Sequence, residues 1–227
     1  MSVPNIPPSS AELGVIFDMD GVLVDSTAAH FEAFHEFGKR IGVPFTRDFF
    51  LRIFGLHNDE IFPLWLGNQL TREEVTRFAS EKEALYRELA PHHVRPVNGV
   101  LALIDSLANA GFHLAVGSSG PRQNVELAME VTGRRSLFST TVSGDDVQRG
   151  KPAPDIFLKA AIGLGLRPDQ CVVIEDALAG IAAAHAAEMK VIGIATSLPI
   201  QSLGGANLAV QTMSELNPLV IRKLLTP

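Results

Sequence analysis

Six short strand-like runs recur along the chain, at residues 15–18, 114–118, 140–143, 171–175, 191–196 and 207–210, with helical patterns between most of them. Strands that alternate with helices predict an α/β fold on a parallel, doubly wound sheet, because a parallel strand is reached only through a crossover that a helix supplies. Between the first two runs lies a long insert, residues 27–93, of amphipathic stretches and breakers without a convincing strand. It reads as an α-helical cap inserted after the first strand. Residues 91–96 would be the return hinge, since Pro91 and Pro96 bar a helix there. The chain thus divides into a core of residues 11–26 and 94–227, a cap of residues 27–93, and a Pro- and Ser-rich tail of residues 1–10 that reads as disordered.

The run GVIFDMDGVLVDS at residues 14–26 sets two acids, Asp18 and Asp20, where an apolar β-branched stretch stops and a glycine turn begins. Ligands of open α/β sheets bind beyond the carboxyl ends of such buried strands. Acids at i and i+2 of an extended segment project the same way and repel unless a cation or proton lies between them. This is a candidate active site.

Other runs end in useful groups. Ser118, Ser119, Gly120 and Pro121 close the second run and open a helix, an anion site in outline, although two serines there also serve simply as helix caps. Lys151 stands between Gly150 and Pro152 on a rigid turn ahead of a helix at 155–163; a held ammonium neutralises phosphate, whereas most lysines are solvated. Glu175 and Asp176 close the most apolar run and precede a small-residue helix at 177–187, where Gly180 permits close packing. Adjacent acids there cap a helix or, as hard oxygen ligands, suit Mg²⁺. Within the insert, Lys82 shares the three-four spacing of Val75, Phe78, Leu85 and Leu89. His30 shares that of Phe34, Phe37 and Ile41, on a helix for which Ser26 is the N-cap candidate. The pattern makes both interfacial. His35, His57, His92, His93, His113 and His185 lack such support and read as structural or solvent-facing.

Residues 18–26, DMDGVLVDS, resemble the first motif of the haloacid dehalogenase superfamily. Three further motifs follow in that family's order: Ser118, Lys151 with Pro152, and the pair Glu175 and Asp176. The resemblance runs from about residue 11 to the C-terminus and is to the β-phosphoglucomutase-like branch of phosphatases and sugar-phosphate mutases. It implies a Rossmann-like core with Asp18 as nucleophile, Asp20 as general acid and base, and Ser118 and Lys151 on the phosphoryl group. It also implies Mg²⁺ held by Asp18, the backbone carbonyl of Asp20 and Asp176, with Glu175 helping directly or through water. Gly21 and Ser119 stand as phosphate-side candidates, and His30 and Lys82 match positions that contact substrate or gate cap closure. Asn58 stands where the mutase has an arginine for the distal phosphate of a bisphosphate, and a neutral amide does not replace a bidentate guanidinium.

The expected function is therefore Mg²⁺-dependent hydrolysis of a small sugar phosphate or similar metabolite through an aspartyl-phosphate. The alternatives are a β-phosphoglucomutase-type mutase, a sugar-phosphate-binding protein that has lost catalysis, and a dehalogenase, against which Asp20 followed by Gly21 speaks. With 19 basic against 25 acidic residues and no block of Lys and Arg, neither a nucleic acid nor an anionic membrane is an expected partner. No apolar stretch approaches the roughly 18 residues of a membrane span. The first ten residues lack the basic start and apolar core of a signal peptide, so the expected location is the cytoplasm, with a monomer as the default. Cys171, the lone cysteine, reads as a small buried hydrophobe.

Overall fold

The computed structural model describes residues 12–53 and 56–226; the tail expected at residues 1–10 lies outside them. The chain begins with β1 (Gly14–Phe17) and a two-residue strand, β2 (Val24–Asp25). Helices α1 (Thr27–Ile41), α2 (Arg47–Ile53), α3 (Asn58–Leu66) and α4 (Arg72–His93) follow, and β3 (Arg95–Pro96) returns the chain by pairing antiparallel with β2. Then come α5 (Val100–Asn109), β4 (His113–Gly117), α6 (Arg122–Thr132), β5 (Phe138–Val142), α7 (Asp155–Leu164) and β6 (Cys171–Glu175). The last elements are α8 (Leu178–Ala186), β7 (Lys190–Ile194), β8 (Leu208–Val210) and α9 (Pro218–Leu225).

The six expected runs form one parallel sheet in the order β5-β4-β1-β6-β7-β8. β1 and β6 are buried at every residue, as strands covered on both faces must be. Their alternate side chains feed two cores. Val15, Phe17, Val172 and Ile174 join the cluster that includes α5, α6 and the insert, whereas Ile16 and Val173 join that of α7 and α8. The strand order reverses beside β1, so the crevice where such sheets bind ligands opens at the carboxyl ends of β1, β4 and β6.

The helical insert is held by aromatic packing. Phe45 meets Trp65 edge-on at 4.8 Å, and Phe37 meets Phe62 and Phe78 at 5.6 and 5.5 Å. Helix α4 runs through Pro91 to His93, so the break expected before residue 91 does not occur. A proline two residues from a helix end disturbs only the last turn, whose carbonyls at Pro91 and Val94 accept from the Arg95 guanidinium. No described helix is long and apolar enough to cross a membrane.

Candidate active site

The sheet delivers the core groups to one rim. Asp18 follows β1, Ser118 follows β4, Glu175 ends β6, and Lys151 reaches in from the turn before α7. The Lys151 ammonium donates to Asp18 Oδ1 at 2.6 Å and Glu175 Oε2 at 3.0 Å. Burial opposes its charge, but these two carboxylates outweigh that and hold the lysine firmly protonated. Burial, reinforced by Glu175, pushes the Asp18 carboxyl up to about 7 despite Lys151, and burial with Glu175 and Asp18 raises Asp176 well above its ordinary value. Oxygens of Asp18, Glu175 and Asp176 lie within 4.8 Å of one another. Three buried carboxyls of which two resist ionisation form the donor set that a hard divalent cation satisfies. Asp176 also accepts from the hydroxyls of Ser197 and, at 3.4 Å, Thr196.

Two glycines make room for this cluster. Gly21 has a φ of +76°, and a Cβ there would overlap the Asp176 carboxylate. Its amide donates to Val24 and its carbonyl accepts from Thr196, so both backbone groups are engaged within the protein. A Cβ on Gly180 would overlap the Glu175 side chain. Gly180→Ala is therefore expected to displace Glu175 and to destabilise the protein by about 1–3 kcal/mol in denaturant titration.

Asp20 faces the insert instead. Ser26, expected to cap α1, makes no side-chain cap bond and donates its hydroxyl to Asp20. A hydroxyl has one proton to donate, and here it goes to a charged acceptor. His30 Nε2 lies 3.4 Å from the same oxygen. Burial would raise Asp20, but His30 and Ser26 outweigh it and hold the carboxyl below its ordinary value. Lys82 lies 3.0 Å from His30 Nδ1, and the ring's other nitrogen, Nε2, faces Asp20. Tyr86 fixes the ring by stacking on it at 4.1 Å.

Behind Lys82 lies Glu83, which sequence reasoning missed. Its Oε1 accepts from Lys82 at 2.7 Å and Asn58 at 2.8 Å, and its Oε2 from Asn124 of α6 at 2.6 Å. Arg87 adds a bond to Asn124 at 3.1 Å. Burial opposes the Glu83 charge, but Lys82, His30 and Asn58 hold the carboxyl down at about 2. Insert and core thus share one polar chain from Asp20 to Asn124.

A cavity brings most of the expected residues together: Asp18, Asp20, His30, Asn58, Lys82, Ser118, Ser119, Lys151, Glu175 and Asp176 line it, and Gly21 does not. His57, expected to be structural or solvent-facing, caps α3 and also reaches the cavity wall. Ser118 accepts from the Gly120 amide at 3.0 Å, which leaves its hydroxyl proton to donate. The helix N-terminus beside it is less open than expected, because the Arg122 amide donates to Asp145. Cys171 is buried in β6, where burial raises the thiol to about 12.

The chain is 32% identical over 214 residues to a chloroplastic 5-amino-6-(5-phospho-D-ribitylamino)uracil phosphatase of Arabidopsis thaliana, covering 93% of this chain but 57% of that protein. It is 32% identical over 211 residues to β-phosphoglucomutase of Bacillus subtilis, covering 89% and 90% of the two chains. Among solved structures, a family IA, variant 3 hydrolase of the same superfamily from Entamoeba histolytica superposes with a TM-score of 0.87 at 30% identity, over 95% of this chain and 100% of that one. Residues 15–194 match the haloacid dehalogenase-like hydrolases as a family, and to that family the chain belongs.

Proposed function

We propose that the chain hydrolyses phosphate monoesters of small metabolites with Mg²⁺ and an aspartyl-phosphate at Asp18, and that residues 27–93 act as a cap over the site. One observation carries this reading: two acids two residues apart are treated oppositely. Asp18 is tied to Lys151 among the acids of the core, whereas Asp20 is tied to Ser26 and His30. Asp18, which a cation among the core acids would ionise, is thereby set up as nucleophile, and Asp20, held apart from them, as proton carrier.

A carboxylate needs no base to act as nucleophile. An Asp18 oxygen bonds to phosphorus as the ester P–O bond breaks, and Asp20 gives its proton to the departing oxygen. Water then attacks phosphorus, Asp20 takes the proton, and the bond to Asp18 breaks with release of inorganic phosphate. The lowered Asp20 carboxyl suits this second step as it stands. The first step needs it protonated, and a phosphate arriving beside it favours the neutral form. Lys151 and the Ser118 hydroxyl offset charge on the phosphoryl oxygens. Mg²⁺, held by Asp18, the backbone carbonyl of Asp20 and Asp176 with Glu175 in support, would supply further charge neutralisation.

Relatives include both a phosphatase and a mutase, so the acceptor decides the function. Asn58 gives its amide to Glu83 and offers no cation to a second phosphate, which favours water. Release of phosphate from p-nitrophenyl phosphate, present with Mg²⁺ and absent with chelator, tests the reading. With β-glucose 1-phosphate, phosphate release should exceed isomerisation to glucose 6-phosphate; rapid bisphosphate-dependent isomerisation with little release would establish the mutase instead. Asp176→Ala should weaken Mg²⁺ binding, measured by titration calorimetry, by more than the roughly 10–100-fold that loss of an outer partner costs. Unchanged affinity would remove Asp176 from the metal site.

A further inference from the structure

We infer that the cavity admits phosphate monoesters whose leaving group carries no second anionic group, and that Glu83 sets this selectivity. The inference rests on the phosphatase reading and adds the substrate class to it. Five carboxyl groups line the cavity, those of Asp18, Asp20, Glu83, Glu175 and Asp176, against two lysines. Lys151 belongs to the reacting side, held by Asp18 and Glu175. A second anion would have to be met from the insert, where Lys82 is the lysine among the described lining residues.

That ammonium is already engaged. Glu83 lies 2.7 Å away, His30 3.0 Å, and the ring of Phe34 4.3 Å, all in a buried setting. An anion approaching Lys82 meets the Glu83 carboxylate beside it, so the pair presents almost no net positive field. The rest of the insert wall comprises Phe34, Phe50, Ile53, Leu56 and Ile61 with the Asn58 amide, itself bound to Glu83. Moving a carboxylate or phosphate out of water against such a wall is unfavourable without a cation, whereas a hydroxylated or apolar group loses little.

Matched substrates test this: phenyl phosphate with 4-carboxyphenyl phosphate, and glucose 6-phosphate with 6-phosphogluconate. The expected kcat/KM is about a hundredfold higher for the uncharged member of each pair, the scale of an uncompensated like-charge contact. Glu83→Gln uncovers Lys82, and Asn58→Arg adds a guanidinium at the start of α3; each should reduce the preference by about tenfold or more. Equal rates within the pairs, or faster turnover of the anionic members, would overturn the inference, and a preference unmoved in Glu83→Gln would overturn the role of Glu83. Should Glu83→Gln not fold, Glu83→Asp, whose shorter side chain draws the carboxylate back from Lys82, takes its place with the same outcomes. Failure of the phosphatase reading has a separate signature, which is no turnover of any of the four esters.

Discussion

Asp18→Asn is expected to abolish phosphate release, with a loss of roughly 10⁴–10⁶-fold, because an amide oxygen neither attacks phosphorus nor carries the covalent intermediate. Acid-quenched protein should hold no trapped phosphate. The same substitution should not lower the thermal midpoint measured in chelator. A raised carboxyl marks a site where ionisation is disfavoured on folding, since burial and Glu175 outweigh Lys151. A neutral side chain of the same shape removes that cost, and its oxygen can still accept from Lys151. Turnover at the unmodified rate would end the assignment of Asp18, and a midpoint lowered by several degrees would show that the Lys151 pair dominates.

Glu83→Ala should cost about 3–5 kcal/mol of stability in denaturant titration, the usual penalty for leaving one partner of a buried ion pair alone. Lys82 would stay in its apolar surroundings without its nearest carboxylate, and Asn58 and Asn124 would each lose an acceptor. Restoring the amide acceptor while removing both charges, in Lys82→Met with Glu83→Gln, should recover most of the loss. Acid titration gives an independent check. Because the folded Glu83 carboxyl sits at about 2 against an ordinary 4.5, its stabilising contribution is complete above about pH 4.5 and lost as pH falls toward 2. The gap between unmodified and Glu83→Gln protein should therefore close over that interval. A gap constant with pH would mean that hydrogen bonding alone, not charge, makes Glu83 matter.

What the sequence disclosed follows from how local each signal is. The sheet was legible because fully buried strands read as short apolar runs, and Asp18, Ser118, Glu175 and Asp176 were legible because each stands at the end of one. Lys82 was legible through its apolar stripe on α4. Glu83 was not, because one step along a helix turns about 100° away from that stripe, toward what reads as solvent. Its burial comes from α6, which approaches from another part of the chain and brings Asn124. Ser26 misled for the opposite reason: the local rule of helix capping placed it correctly before α1, but its hydroxyl turns to donate to Asp20 and accepts no bond from the first-turn amides. Pro91 likewise obeyed its general restriction too near a helix end for it to break the helix.

The place of β1 in the sheet has a bearing on how the protein is made. It precedes the other described strands of that sheet in the chain, yet it ends in the middle, with Gly14 aligned to His113 on one side and Cys171 on the other. The Asp18 pairing with Lys151 closes over 133 positions. Until β4 and β6 arrive, the stretch Gly14–Phe17 has two open apolar edges, the condition under which nascent chains pair with one another. No chain cut short before β6 holds Asp18, Lys151 and the β6 acids together. Any activity in a preparation therefore counts molecules in which β1, β4 and β6 have come together, and mispairing of β1 during synthesis would lower it without touching the chemistry of the site.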